Sequence, residues 1–216
     1  MRIVVTAGPT REAIDPVRFI SNRSSGKMGY ALADAAVQRG HEVKLISGPV
    51  QLAPPTGAHI VSVTTAAEML EAVHAHVPWC DVLIMAAAVA DYRPRIVSPV
   101  KLKKSHTPLL LELEPAPDIL ASLRPLKGSR VFVGFAAETG NPEREGRRKL
   151  REKGLDLVVA NDVSRSDAGF EADTNQVLLL ATDGSARELP LMSKRDVAAE
   201  ILNWIEAHSG RTKTGQ

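Results

Sequence analysis

The chain has one cysteine, Cys80, so neither an internal disulfide framework nor a cysteine-based zinc cluster is available to it. A reducing, cytoplasmic setting fits that count. Aromatic residues make up only 4% and do not interleave with basic ones, which removes the usual base-stacking surface. The net charge is +2, too small to argue for nucleic acid by bulk attraction. No apolar run approaches the about 20 residues a membrane span needs, Val82–Ala90 being far too short, and no secretory leader pattern is present. The six histidines (41, 59, 74, 76, 106, 208) have no metal-binding spacing. His74 and His76 point apart on any helix. Neither nucleic acid nor membrane is an expected partner.

What is present is an alternation. With 216 residues and 44% apolar content, the chain can bury one substantial core. Strand-like Arg2–Thr6 precedes a helical pattern over Gly26–Arg39, with Met28, Leu32, Ala35 and Ala36 on one face and Gly40 as the stop. Strands Glu42–Ser47 and His59–Val63 follow, then a helix opened by Thr64 or Thr65 with Met69, Leu70 and Val73 inward. Val82–Ala86 is apolar throughout, as a strand covered on both faces should be. The same alternation resumes with helix Pro117–Leu123, strand Arg130–Phe135, helix Glu143–Lys153 and strand Leu157–Ala160. A hairpin, Gln176–Ala181 and Arg187–Leu191 around Asp183-Gly184, precedes the closing helix Ser193–His208. The expectation is an α/β, doubly wound, Rossmann-like parallel sheet, with ligands beyond the carboxyl ends of its strands. One domain over residues 1–209 is expected, and 210–216 as a frayed tail.

Residues 92–114 break the pattern. Pro94, Pro99 and Pro108 forbid a central strand, yet Val97–Leu102 and Leu109–Leu113 read as extended edge segments. An apolar arm without a covering helix is a candidate for pairing with another subunit.

The most informative stretch is Arg18–Gly29, RFISNRSSGKMG, which closes a loop running from Ala7 to Ser25. Strand-to-helix turns usually take about two to six residues, so a loop this long has work to do. Its end, Ser24-Ser25-Gly26-Lys27-Met28-Gly29, puts small residues and a cation at a helix N-terminus, which favours phosphate. It is not a Walker A loop, since Ser21 and Met28 occupy the places of the first Gly and the closing Ser or Thr. Nor is it a dinucleotide fingerprint, since Gly8 is followed by Pro9 and Thr10. A capped, tightly packed helix start is the plainer alternative.

VTAGPTREAIDPVRFISNRSSGKMG, with AAAVADYRP (86–94), KLKK (101–104), PDIL (117–120), GFAAET (134–139) and VANDV (159–163), resembles phosphopantothenoylcysteine synthetase. The match is to the bacterial, CTP-using type, the second domain of many two-domain coenzyme A biosynthesis proteins. Six motifs in order, from about residue 3 to about 205, make it specific. The resemblance implies a CTP-dependent ligase joining 4′-phosphopantothenate to L-cysteine through an acyl-cytidylate, with CTP and Mg²⁺ and with active sites at a homodimer boundary built by a strand-rich extension. Many relatives carry a flavin decarboxylase domain ahead of this one; this chain opens on its own first strand, so no flavin site is expected within it.

The resemblance also assigns residues. Asn22 is set against the activated carboxyl group, although an Asn in a loop often holds the loop's own backbone. Arg18 reaches the phosphorylated substrate, in some members from the neighbouring subunit; the plain alternative is a pair with Asp15. Ala87 and Ala88 let a ligand approach strand-end backbone, and Asp91 is a nucleotide or substrate contact unless it merely pairs with Arg93. Lys101, first of three cations in Lys101–Lys104, is the leading catalytic candidate, although such runs are usually a solvated patch. Gly8, Ser24, Gly26 and Gly29, with Phe135 and Asn161, fall to the nucleotide, as do Lys149 and Lys153, one face of a helix at i, i+4. Pro117, Asp118, Ile119 and Leu120 match the base segment, with Ala116 standing where many members carry Asn. No metal ligand is assigned.

Two other classes deserve comparison. A nicotinamide oxidoreductase lacks its glycine fingerprint here, and neither Tyr30 nor Tyr92 has Lys four residues later. A non-catalytic nucleotide-binding regulator would not release pyrophosphate.

Overall fold

A computed structural model describes residues 1–162 and 172–209. Val163 of the last motif and the expected tail over 210–216 lie outside the described residues. The main sheet has eight strands: β1 (Arg2–Ala7), β4 (Glu42–Ser47), β5 (His59–Ser62), β6 (Val82–Met85), β9 (Val131–Glu138), β10 (Leu157–Asp162), β11 (Thr174–Ala181) and β12 (Ala186–Ser193). Their order is β12-β11-β10-β9-β6-β1-β4-β5. Six neighbouring strands are parallel, and the β11–β12 hairpin completes one edge, with β11 running against them and β12 returning in their direction.

Helices cover both faces, which is why the central strands read as unbroken apolar runs. Alternating side chains of β1 go to opposite sides. Ile3, Val5 and Ala7 pack with α1 (Lys27–Gln38) and α5 (Lys194–His208), while Val4 packs in the layer of α2 (Ala66–His76), α3 (Ile119–Leu123) and α4 (Pro142–Lys153). Thr65 caps α2, accepting from Glu68 N at 3.1 Å, and Asp118, Asn141 and Ser193 cap α3, α4 and α5 through side-chain oxygens.

The long loop holds a small hairpin of its own, β2 (Arg11–Ala13) with β3 (Phe19–Ser21). One expectation changes. In the arm, neither Val97–Leu102 nor most of Leu109–Leu113 forms a strand. The pairing is instead β7 (Tyr92–Pro94) with β8 (Leu113–Pro115), extended by Arg95 N donating to Glu112 O at 3.0 Å. Pro99 and Pro108 lie in the stretch that stays irregular, where their missing N–H groups leave a ladder incomplete.

The order of strands reverses at β1, flanked by β4 and β6, and connections leave to opposite faces. That is the switch point where open α/β sheets bind ligands. Here the ladder runs on past the strand ends, with Ala88 N donating to Gly8 O (2.9 Å) and Thr10 N to Ala88 O (3.2 Å). Two threonines hold the departing chain: Thr6 Oγ1 accepts from Ala87 N (3.1 Å) and Thr10 Oγ1 from Ala90 N (2.9 Å).

Candidate functional site

A cavity of about 770 Å³ opens at this switch point. Its floor is Met85–Asp91 at the end of β6, and its walls come from the start of α1, the 115–120 segment, the end of β9 and α4.

Among the described residues, no side chain caps α1, and its first turn holds no acid. Its first N–H groups therefore face the cavity without an anionic partner from their own turn. Gly26 turns the chain into the helix at φ 79°, a left-handed conformation that favours glycine. Gly29 allows close approach: a Cβ there would lie 2.5 Å from Ala7 Cβ and 2.9 Å from Thr6 O. The helix start is thus pressed onto the end of β1.

Opposite, α4 supplies Lys149 and Lys153. Lys149 is half-buried and donates to Phe135 O, so its aliphatic stem crosses the core edge to β9. Burial holds the Lys149 ammonium below its usual pKa, with the Glu138 and Asp91 carboxylates opposing that shift. Lys153 donates to Asp118 Oδ2, while Asp118 Oδ1 accepts from Ala121 N at 2.9 Å. Burial pushes the Asp118 carboxyl up, but the Lys153 hydrogen bond and the Ala121 N–H outweigh it and the net shift is downward. A lysine and an aspartate that otherwise look like surface residues thereby form one polar wall.

Of the residues expected from sequence, Asn22, Ser24, Gly26, Gly29, Ala87, Ala88, Asp91, Pro117, Asp118, Ile119, Leu120, Phe135, Lys149, Lys153 and Asn161 all line this one cavity. Asp91 is not taken by Arg93, which pairs with Glu114 at 2.8 Å. Asn22 Nδ2 donates to Ala88 O (3.0 Å) and Val89 O (3.2 Å), so its amide hydrogens hold the floor. Polarising an acyl oxygen would require one of these bonds to be exchanged.

Three expected residues stand outside the cavity lining. Gly8 backs the helix start, its Cα 3.4 Å from where a Gly26 Cβ would sit. Arg18 pairs with the buried Asp15, which also accepts from the N–H groups of Val17 and Arg18 at 2.8 Å. The Arg18 guanidinium holds the Asp15 carboxyl well below the usual range. Arg18 Nη2 donates onward to Leu102 O (2.8 Å), and Leu102 N donates to Asp15 Oδ2 (3.1 Å). The arm is therefore gripped one residue past Lys101, whose exposed side chain does not line the cavity of its own chain.

Sequence reasoning missed Glu138, Arg148, Asn175 and Lys194 as lining residues, whereas Lys27 lies in the Ser24–Gly29 helix start it had marked for phosphate. Asn175 and Lys194 carried no local signal, because only the return of β11 and β12 brings them to this end of the sheet.

The family model for the DNA/pantothenate metabolism flavoprotein C-terminal domain matches residues 1–208. The chain is 54% identical over 211 residues to the coenzyme A biosynthesis bifunctional protein CoaBC of Bacillus subtilis (strain 168), covering 97% of this chain and 52% of that protein. It is 48% identical to the protein of the same name from Escherichia coli (strain K12), covering 95% and 51%. The chain thus spans about half the length of these curated relatives. A crystal structure of the C-terminal domain of a CoaBC protein superposes with a TM-score of 0.82 at 48% identity, covering 95% of this chain and 94% of that one. With its switch-point cavity and a family match running almost end to end, the chain belongs to the DNA/pantothenate metabolism flavoprotein C-terminal domain family.

Proposed function

We propose that the chain is a CTP-dependent phosphopantothenate–cysteine ligase. The observation that carries the reading is one cavity walled by a helix start that no described side chain caps, a cationic face of α4 and a strand end of small residues. That arrangement gathers a polyanion beside exposed backbone, and the names of the relatives place their family in coenzyme A biosynthesis.

A carboxylate and a triphosphate repel each other, so the enzyme's task is alignment and charge neutralisation. The 4′-phosphopantothenate carboxylate oxygen attacks the α-phosphorus of CTP, and pyrophosphate leaves with the electron pair of the broken P–O bond. The cysteine amine then attacks the acyl carbon of the 4′-phosphopantothenoyl-CMP, CMP departs, and the nitrogen loses a proton. Pro117–Leu120 and Phe135 border the base, Lys149 and Lys153 the nucleotide, and Ser24–Gly29 the phosphates. Ala87, Ala88 and Asn22 receive the acyl group, where oriented donors stabilise developing charge.

Mg²⁺ would draw most of its ligands from phosphate and water. Among the described residues no group of three or more acidic, histidine or cysteine side chains is placed to hold a metal, which suits an ion usually bound through one or two carboxylates. Asp91 and Glu138 are the carboxylates that would supply them, and the ion would neutralise phosphate charge.

The arm supports a homodimer. It exposes Ile96, Val97, Val100, Leu109, Leu110 and Leu113, with Leu110 90% exposed, an apolar surface that a second copy of the chain would cover. Lys101 and Arg18, outside their own cavity, would then act across the boundary. The test is a nucleotide panel with phosphopantothenate and cysteine, following pyrophosphate and the acyl-nucleotide. Pyrophosphate release that depends on CTP and phosphopantothenate is expected; turnover with no nucleotide, or none with any, refutes the reading.

A further inference from the structure

On the α1–α5 side, the cavity has a second cationic pole. Lys27 opens α1 and Lys194 opens α5, and both line the cavity. Lys27 Nζ donates to Asp173 Oδ1 at 2.6 Å, and Lys194 N donates to Asp173 O at 3.0 Å, so one residue ties the two helix starts together. The Asp173 side chain itself is 88% exposed. Lys194 is only 6% exposed. Burial lowers its affinity for a proton and the nearby Lys27 charge lowers it further, while the Asp173 carboxylate opposes both.

A third side chain points the same way. Asn175 is 5% exposed and lines the cavity, and among the described residues its Oδ1 is buried with no hydrogen-bond partner. Such orphans are rare and mark places where something else completes the bonding. A register shift in the β11–β12 ladder falls beside it, between Asn175 and Val177, a device that re-aims side chains next to binding sites. Half a turn about the last bond of the carboxamide presents Nδ2 in place of Oδ1, since a terminal amide offers a donor and an acceptor on the same plane.

We infer that Lys27, Lys194 and Asn175 form a pyrophosphate pocket, which takes the terminal phosphates of the nucleotide and holds inorganic pyrophosphate once it is released. Two lysines from separate helices, the N-terminal end of α1 and a carboxamide match an anion with several charges and many acceptor oxygens better than a single carboxylate. In the first step, the bridging oxygen that leaves the α-phosphorus gains negative charge, and this pole lies where that charge grows. Pyrophosphate is then a product inhibitor that competes with the nucleotide. The role in turnover rests on the ligase reading, but the affinity for pyrophosphate does not.

The test is calorimetric titration of the full chain with inorganic pyrophosphate and, separately, with CMP. Lys194→Gln should weaken pyrophosphate binding roughly ten- to a hundredfold, the loss of a charge-assisted contact, and Lys194→Arg should retain most of it. Asn175→Leu should also weaken it, while leaving the melting temperature unchanged or higher, because an unpaired buried oxygen is removed. CMP affinity should be unchanged in all three. Pyrophosphate binding that is absent in the wild type, or equal in Lys194→Gln and Asn175→Leu, overturns the inference, as does a parallel loss of CMP binding. A wild type that binds pyrophosphate through these residues yet makes no ligation product refutes the ligase reading and leaves the pocket standing.

Discussion

Replacing Gly29 by alanine sets two effects of known sign against each other. Gly29 lies inside α1, and alanine is favoured over glycine in a helix by about 0.8–1 kcal/mol. Against that, the new Cβ would meet Ala7 Cβ at 2.5 Å, Thr6 O at 2.9 Å and Ala7 Cα at 3.0 Å. Two of these three atoms are backbone of β1, which pairs on both sides with β4 and β6 and has nowhere to move. Carbon atoms pack at about 3.5–4.0 Å, so the helix must retreat about 1 Å. Overpacking of a rigid contact costs about 1–3 kcal/mol, and the unyielding neighbour argues for the upper end. The net loss is then about 2 kcal/mol, a fall in Tm of about 4–8 °C for a chain of this size. The same retreat moves the Gly26–Lys27 amides away from the proposed phosphate position, where about 1 Å of misplacement can cost about a hundredfold in rate. Thermal denaturation and nucleotide titration on one preparation read both effects. An alanine variant with unchanged or higher Tm and intact nucleotide affinity would refute the claim that close helix–strand contact fixes this site.

Lys149→Met removes a half-buried cation held below its usual pKa by desolvation. Free protein should gain about 1 kcal/mol or more, a rise of about 2–4 °C in Tm, while nucleotide affinity falls; a lower Tm would show that the ammonium stabilises the fold. The pH dependence has a definite sign. Between the lowered folded pKa and the ordinary value of 10.5, the unfolded chain binds the extra proton, so stability rises with pH over that interval and Lys149→Met should lack that rise. Lys101→Gln and Asn22→Ala should each lose roughly two to three decades of turnover while remaining folded. Because Lys101 stands outside its own cavity, the proposed homodimer predicts that mixing the two inactive variants restores turnover; no recovery on subunit exchange would show that Lys101 does not work across the proposed boundary.

Much of this molecule is written in local pattern. The apolar run Val82–Met85 declared a strand covered on both faces, the threonine before α2 declared a cap, and Ser24–Gly29 declared a helix start built for close approach, because each depends on neighbours a few residues away. Pairing choices were not legible in that way. Val97–Leu102 is extended by composition, yet Tyr92–Pro94 and Leu113–Pro115 make the ladder, since partners are chosen by register across the turn and not by β propensity. The Asp15–Arg18 grip on Leu102 was half visible as a spacing of three, but its hold on the arm spans 84 residues. Asn175 and Lys194 reach the cavity only because β11 runs antiparallel to β10 and returns its first residues to the carboxyl end of the sheet. Sequence by itself set which segments are strands and helices and where backbone must come close; the order and direction of the strands, long-range choices made by the whole core, decided which distant side chains share one cavity.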